Sequence, residues 1–471
     1  MAFHLILVMK RTFALFFACI AAFGLHAQKN DTSFISRLAS EILVNGEAYE
    51  NLRVLTKEVG ARLAGSPQMQ KAEEWGFTLF GKLRPDNLLL QACEVPHWVR
   101  GGKEEAIAYE TREWETNKNP RKSGRSLAVL ALGNSVGSQK PIAAPVIEIK
   151  SFEELEKKKD SIRGKIVFYN YPFNQTFIRT FQAYGDAVQY RVNGASRAAK
   201  YGAVAVIVRS LTHSTDNLPH TGTLRYDSAY PMIPAVAIGL HDADWLSKTL
   251  QTKSITIQLW THGQFLPKVV GHNVIAELRG SEFPNEIITV GAHLDSWDVG
   301  EGAHDDGAGC VQTIEILRAF KVLGYKPKRT IRFVLFANEE NGLAGGLKYA
   351  EDAKNTNERH VFALESDAGG FSPRGFGFSG TDAQFEKIMN WQPLLAPYGA
   401  TDFIRGGGGA DIGPLQRNFE TAVAGLQPDS QRYFDYHHAA SDVFEAVNKR
   451  ELLLGAVNMA ALIYLVDQHG L

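Results

Sequence analysis

Four short apolar runs in the C-terminal half of this 471-residue chain restrict its fold more than any other feature: 273–278, 287–292, 330–337 and 360–364. Runs of this length, rich in Val, Ile, Leu and Phe and bounded by turn residues, read as strands buried on both faces. Helical stretches alternate with them, such as the one carrying Cys310, Ile314 and Leu317. The expectation is an α/β fold with a mostly parallel central sheet flanked by helices. In such sheets ligands bind just beyond the carboxyl ends of the strands.

Acids and histidines gather at those ends. The second run leads into His293-Leu294-Asp295, and a Gly-rich loop then reaches Ala303-His304-Asp305-Asp306-Gly307-Ala308-Gly309. The third ends in Asn338-Glu339-Glu340-Asn341-Gly342 and the fourth in Glu365-Ser366-Asp367. Near the C-terminus stands Tyr436-His437-His438-Ala439-Ala440-Ser441-Asp442. Taken singly, each has a plain reading. His293 with Asp295 is a hydrogen-bonded surface pair, Asp305-Asp306-Gly307 a turn, and Glu339-Glu340 a solvated helix start. Asp367 is a loop residue, and His437-His438 two packed imidazoles.

Together and in this order they match the needs of a co-catalytic zinc pair. Zinc favours imidazole and carboxylate ligands with an open position for water. Two neighbouring cations need a shared carboxylate, and a further carboxylate must accept the proton of the attacking water. Adjacent Glu339 and Glu340 can divide those tasks, and Asp295 is placed to orient His293 from behind.

These motifs resemble those of the di-zinc aminopeptidase and glutamate carboxypeptidase family (metallopeptidase clan MH), and within it the carboxypeptidase Q branch, over nearly the whole chain after its first 27 residues. The resemblance implies the zinc-exopeptidase (phosphorylase/hydrolase-like) fold and two Zn2+ ions per chain. It implies His293 and Asp367 on one zinc, Asp305 bridging, Glu340 and the C-terminal histidine on the other, and Glu339 as general base. The family shows His followed four residues later by Asp, which selects His438 with Asp442; His437 is the alternative. It further implies a non-proline cis peptide between Asp305 and Asp306 and a homodimer. The glycine run Gly406–Gly409, with Ala410 and Asp411, is expected to border the substrate, with Gly408, Gly409 and Asp411 as binding residues; a plain flexible loop is the alternative. The implied activity is hydrolysis of dipeptides or short peptides. An aminopeptidase with the same metals is the alternative. A single-zinc glutaminyl cyclase and a non-catalytic binding protein fit the intact ligand set less well.

The rest of the chain divides around this region. Residues 1–27 carry Lys10-Arg11, an apolar stretch and small Ala27 before Gln28-Lys29-Asn30-Asp31, the pattern of an export signal. Met9 is an alternative start, an uncleaved anchor an alternative fate, and Cys19 a poor lipid-attachment site. The expectation is export to the periplasm or the medium, with no later stretch apolar for long enough to span a membrane. Residues 28–125 form the N-terminal part of the peptidase domain and 266–471 its catalytic part. Between them, 126–265 shows strands at 164–169, 204–208 and 233–238 and resembles a protease-associated domain. It holds His213, His220 and His241 without a metal-spaced acid cluster, so gating or dimer support is expected of it rather than chemistry. Cys93 and Cys310 allow one disulfide but nothing demands it. A net charge of −1 gives no argument for nucleic acid or an anionic membrane as partner. The expected partner is a small peptide.

Overall fold

The computed structural model describes residues 30–116 and 124–471; the expected export signal and Cys19 lie outside them. Sixteen strands form two eight-stranded sheets among these residues. The first strand is β1 (Asn87–Val99). The next eight all belong to one sheet: β2 (Glu105–Glu110), β3 (Arg125–Ser126), β4 (Val129–Ala131), β5 (Ile142–Ile149), β6 (Ile166–Tyr169), β7 (Ala205–Arg209), β8 (Ala235–Ile238) and β9 (Ile255–Trp260). The chain then returns to the sheet of β1 with β10 (Gln264–Leu278), β11 (Phe283–His293), β12 (Arg329–Phe336), β13 (Arg359–Glu365), β14 (Pro373–Ser379), β15 (Asp402–Arg405) and β16 (Ala422–Pro428). The second sheet is thus inserted between two adjacent strands of the first. Its opening strand β2 precedes residue 126, where the sequence placed the start of the middle region.

The first sheet runs β1-β10-β12-β11-β13-β16-β14-β15. Strands β12, β11, β13 and β16 are mutually parallel, whereas β10 pairs antiparallel with both β12 and β1, and β14 pairs antiparallel with β16. The sheet is therefore mixed, where a mostly parallel one was expected. Three of the four apolar runs, on β11, β12 and β13, lie in the parallel centre, which is covered on both faces, and the fourth lies on antiparallel β10. The antiparallel strand β14 carries glycine instead, in Pro373-Arg-Gly-Phe-Gly-Phe-Ser379, and leaves no such run.

Helices cover both faces. The helix Pro67–Lys82 starts where Ser66 accepts a hydrogen bond from the Met69 amide, with proline at the first helical position. It buries Met69, Ala72, Gly76 and Phe80 along one stripe. A Cβ at Gly76 would lie 2.7 Å from Leu335, so glycine is what lets this helix reach the sheet. On the same sheet pack Ala308–Val322 and the C-terminal Lys449–His469. The latter is long and apolar enough to cross a membrane by length and composition, which corrects the sequence reading; its apolar window is mostly buried in the core. Cys93 and Cys310 are both free and buried, so no disulfide joins them.

Candidate metal centre

The four parallel strands point their carboxyl ends the same way, and each delivers one part of a buried cluster. His293 is the last residue of β11. Asp305 follows in a tight turn, Ala303–Gly307, at the start of the Ala308–Val322 helix, and its peptide bond to Asp306 is cis. Glu339 and Glu340 follow β12, Asp367 follows β13, and His437 and His438 follow the short helix Tyr433–Tyr436 beyond β16.

Backbone hydrogen bonds fix His293, Asp305, Glu339 and Glu340 in place. Asn338 takes a left-handed φ of 63° and closes the Glu339–Glu340 loop through Asn341 Oδ1 at 2.6 Å and the Ala344 amide at 3.2 Å. The Asp295 carboxylate accepts the Glu339 and Glu340 amides at 2.9 and 3.2 Å. The Asp442 carboxylate does the same for the His304 and Asp305 amides, at 2.7 and 3.1 Å. Asp306 accepts the His293 and Gly309 amides, tying the end of β11 to the following helix. Acids expected beside the metals thus serve as clamps on the backbone that carries them. For Asp295 this modifies the expectation: the Nδ1 of His293 donates to the Asp295 main-chain carbonyl at 3.0 Å, while the carboxylate lies 3.7 Å away.

With Nδ1 so engaged, His293 Nε2 faces Asp305 Oδ1 at 3.2 Å and Asp367 Oδ1 at 3.4 Å. On the other side, His438 Nε2 faces Asp305 Oδ2 at 3.2 Å and Glu340 Oε2 at 3.1 Å. Each oxygen of Asp305 therefore addresses a different histidine. His437 Nε2 stands farther off, 3.7 Å from Asp305, with its ring stacked on that of His438. Groups able to hold a metal ion comprise His293, Asp305 and Glu340; His293, Asp306 and Asp367; and Asp305, His437 and His438.

Two observations show that these residues fit metal cations. His293 Nε2, Asp305 Oδ2 and Glu340 Oε1 are buried yet make no well-formed hydrogen bond. The acids also lack enough positive charge. Burial alone would lower the His293 pKa, but Asp305 and Asp367 outweigh it and raise it well above the ordinary value. Burial and the Asp305 charge push Glu340 well above the usual carboxylate range, and burial with neighbouring carboxylates pushes Glu339 to about 8. A set of imidazoles and carboxylates is the donor chemistry of zinc.

The cluster opens into a cleft of about 540 Å³. Its walls include Asp305, Glu339, Glu340, Asp367 and both histidines, with Phe181, Tyr184 and Tyr433 as apolar surface. The second sheet's segment contributes Asn134, Arg191, Thr223 and Arg225, which no sequence motif marked. From the glycine run only Ala410 lines the cleft; Gly408, Gly409 and Asp411 do not. The end of the run turns inward: a Cβ on Gly409 would lie 2.0 Å from the Glu365 carboxylate carbon, and Asp411 is fully buried behind the wall.

The sequence profile described as Peptidase family M28 matches residues 273–463. Carboxypeptidase Q of Mus musculus is 35% identical over 428 residues, covering 89% of this chain and 85% of that protein. Carboxypeptidase Q of Homo sapiens is 35% identical, covering 92% and 88%. The chain belongs to peptidase family M28. It is a zinc exopeptidase of that family, a hydrolase. A solved M28 peptidase precursor from Shewanella amazonensis superposes on this M28 chain with a TM-score of 0.86 at 31% identity, covering 93% of this chain and 97% of the other. A zinc aminopeptidase from Bacillus subtilis shares the fold at 20% identity, with a TM-score of 0.63 over 89% and 94% of the two chains.

Proposed function

We propose that this M28 peptidase is exported and hydrolyses dipeptides or short peptides bearing a free C-terminal carboxylate, with two zinc ions and Glu339 as general base. The observation that carries the terminus assignment is the charge layout of the cleft. Its lining acids, Asp305, Glu339, Glu340 and Asp367, all belong to the metal cluster, whereas its lining cations are Arg191 and Arg225. The Arg225 side chain makes no ion pair or hydrogen bond among the described residues, so its guanidinium is free to pair with a carboxylate. The carboxypeptidase name of the curated relatives points the same way. A cleft of this size takes a small ligand rather than a folded chain.

In this reading His293 and Asp367 would hold one zinc and Glu340 and His438 the other, with the Asp305 carboxylate, whose two oxygens face the two histidines, available to both. When bound, the ions polarise the scissile carbonyl and acidify the attacking water. Glu339, at the cleft wall, accepts the water proton as the oxygen attacks the carbonyl carbon, then returns it to the leaving amine as the C–N bond breaks. Asp295 and Asn338 keep that carboxylate in place through the loop backbone. Arg191 and Arg225 hold the substrate carboxylate.

The test is hydrolysis of one dipeptide in unblocked, N-acylated and C-amidated forms by zinc-reconstituted enzyme. Cleavage of the first two but not the amide supports the proposal. Cleavage that survives amidation but needs a free amine makes the enzyme an aminopeptidase. No zinc-dependent turnover on any form removes the dipeptidase reading.

A further inference from the structure

The segment 220–223 of the second sheet's module reaches across to the turn that carries His438. His220 Nδ1 donates to the His437 carbonyl at 2.7 Å, and the Thr221 amide donates to the His438 carbonyl at 2.9 Å. If His438 Nε2, which faces Asp305 and Glu340, ligates zinc, the proton lies on Nδ1, which faces the Thr221 carbonyl at 3.3 Å beside Arg191 Nη1 at 3.4 Å. Arg191 Nη1 approaches the same carbonyl at 3.4 Å.

The contact is built on both sides. His438 holds a left-handed φ of 62°, which a non-glycine residue keeps only where its surroundings impose it. Three hydrogen bonds, from His220, Thr221 and His438 itself, provide that constraint. The segment is in turn fixed to the second sheet. The His220 amide donates to Ser210 Oγ at 3.0 Å and Thr221 Oγ1 to the Ala131 carbonyl at 2.8 Å, at the ends of β7 and β4. Gly222, at φ +130°, leaves room for the approach: a Cβ there would lie 2.4 Å from Arg191 Cζ and 2.6 Å from His438 Nδ1.

We propose that His220 and Thr221 are positioning residues of the metal centre, so that zinc binding at His438 and seating of the second sheet's module are one coupled equilibrium. The inference rests on the reading of His438 as a zinc ligand. A carbonyl that accepts the distal N–H of a ligating histidine sets the ring's tautomer and direction, and its loss costs about 10–100-fold in metal affinity. Coupling of two binding events is reciprocal, so zinc must tighten the 220–223 segment by as much as that segment tightens zinc. The module is then part of the chemistry rather than only a gate.

Two measurements on the full chain test this. Hydrogen exchange of metal-free enzyme, with and without added zinc, is expected to show zinc slowing exchange both at 437–439 and at Thr221. Chelator competition is expected to show one of two zinc ions bound about 10–100-fold more weakly in His220→Ala and in Gly222→Ala. His220→Asn, which keeps a donor near Nδ1, restores the affinity. Zinc that protects 437–439 but leaves Thr221 unchanged, with native affinity in His220→Ala, overturns the coupling and leaves His438 as a ligand. Native zinc binding by His438→Ala overturns the ligand assignment, and the coupling falls with it. The exchange measurement needs no variant, so a substitution that fails to fold leaves the test intact.

Discussion

At the scale of single residues, the two adjacent glutamates are separated by what surrounds them. Glu340 is buried against His438 and Asp305, with one orphaned oxygen, while Glu339 stands half-buried on the cleft wall and pairs with no histidine among the described residues. Glu339→Gln keeps the shape and removes the proposed base. It is expected to lower kcat by about 10²–10⁴-fold, with zinc content unchanged by metal analysis. A zinc-loaded variant with native kcat would assign the base elsewhere. Gly409 is decided by space instead. Glu365 accepts the Ile412 amide at 2.9 Å directly against it, so Gly409→Ala must push a buried carboxylate aside. The expected cost is about 1–3 kcal/mol in urea unfolding, against a small change for a surface glycine.

At the scale of elements, the far end of the first sheet is held by charge across three strands. Arg332 on β12 makes two hydrogen bonds to Glu358, at 2.7 and 3.0 Å, and one to Glu277 on β10 at 2.7 Å; His360 on β13 faces Glu358 at 3.0 Å. Burial alone would raise the Glu358 pKa, but His360 and Arg332 outweigh it and hold it near 2. A carboxylate depressed in the folded state contributes stability above its unfolded pKa, and that contribution is lost as pH falls toward the folded value. Glu358→Gln is therefore expected to cost about 1.5–3 kcal/mol at pH 7 in metal-free protein. The gap to the native chain should narrow between about pH 4.5 and 2. A gap that widens on acidification would contradict the assignment. The same elements show what could be read without a structure. The runs at β11, β12 and β13 were legible because a strand covered on both faces is mostly apolar along its length. The flanking strands β14 and β15 were not: β14 carries Pro373, Gly375 and Gly377, and short alternating strands resemble loops.

At the scale of the whole molecule, the metal centre is assembled from four strand ends of one sheet and clasped by a segment of the other. His293, Asp305, Glu340, Asp367 and His438 were legible because each sits in a short motif at a strand end. His220, Thr221, Arg191 and Arg225 were not, because their role depends on how the second sheet seats against the first, and no local pattern encodes that. Fold and metal are expected to be linked in turn. A ligand that binds only the folded state adds about 2.7 kcal/mol at a hundred times its Kd, so chelation should lower the melting temperature and zinc should restore it. The most direct test of the account is to count zinc per chain by elemental analysis, in the native enzyme and in His438→Ala. Two ions are expected in the first and one in the second, with activity lost. One ion in the native chain, or two retained without His438, would contradict a paired centre bridged by Asp305.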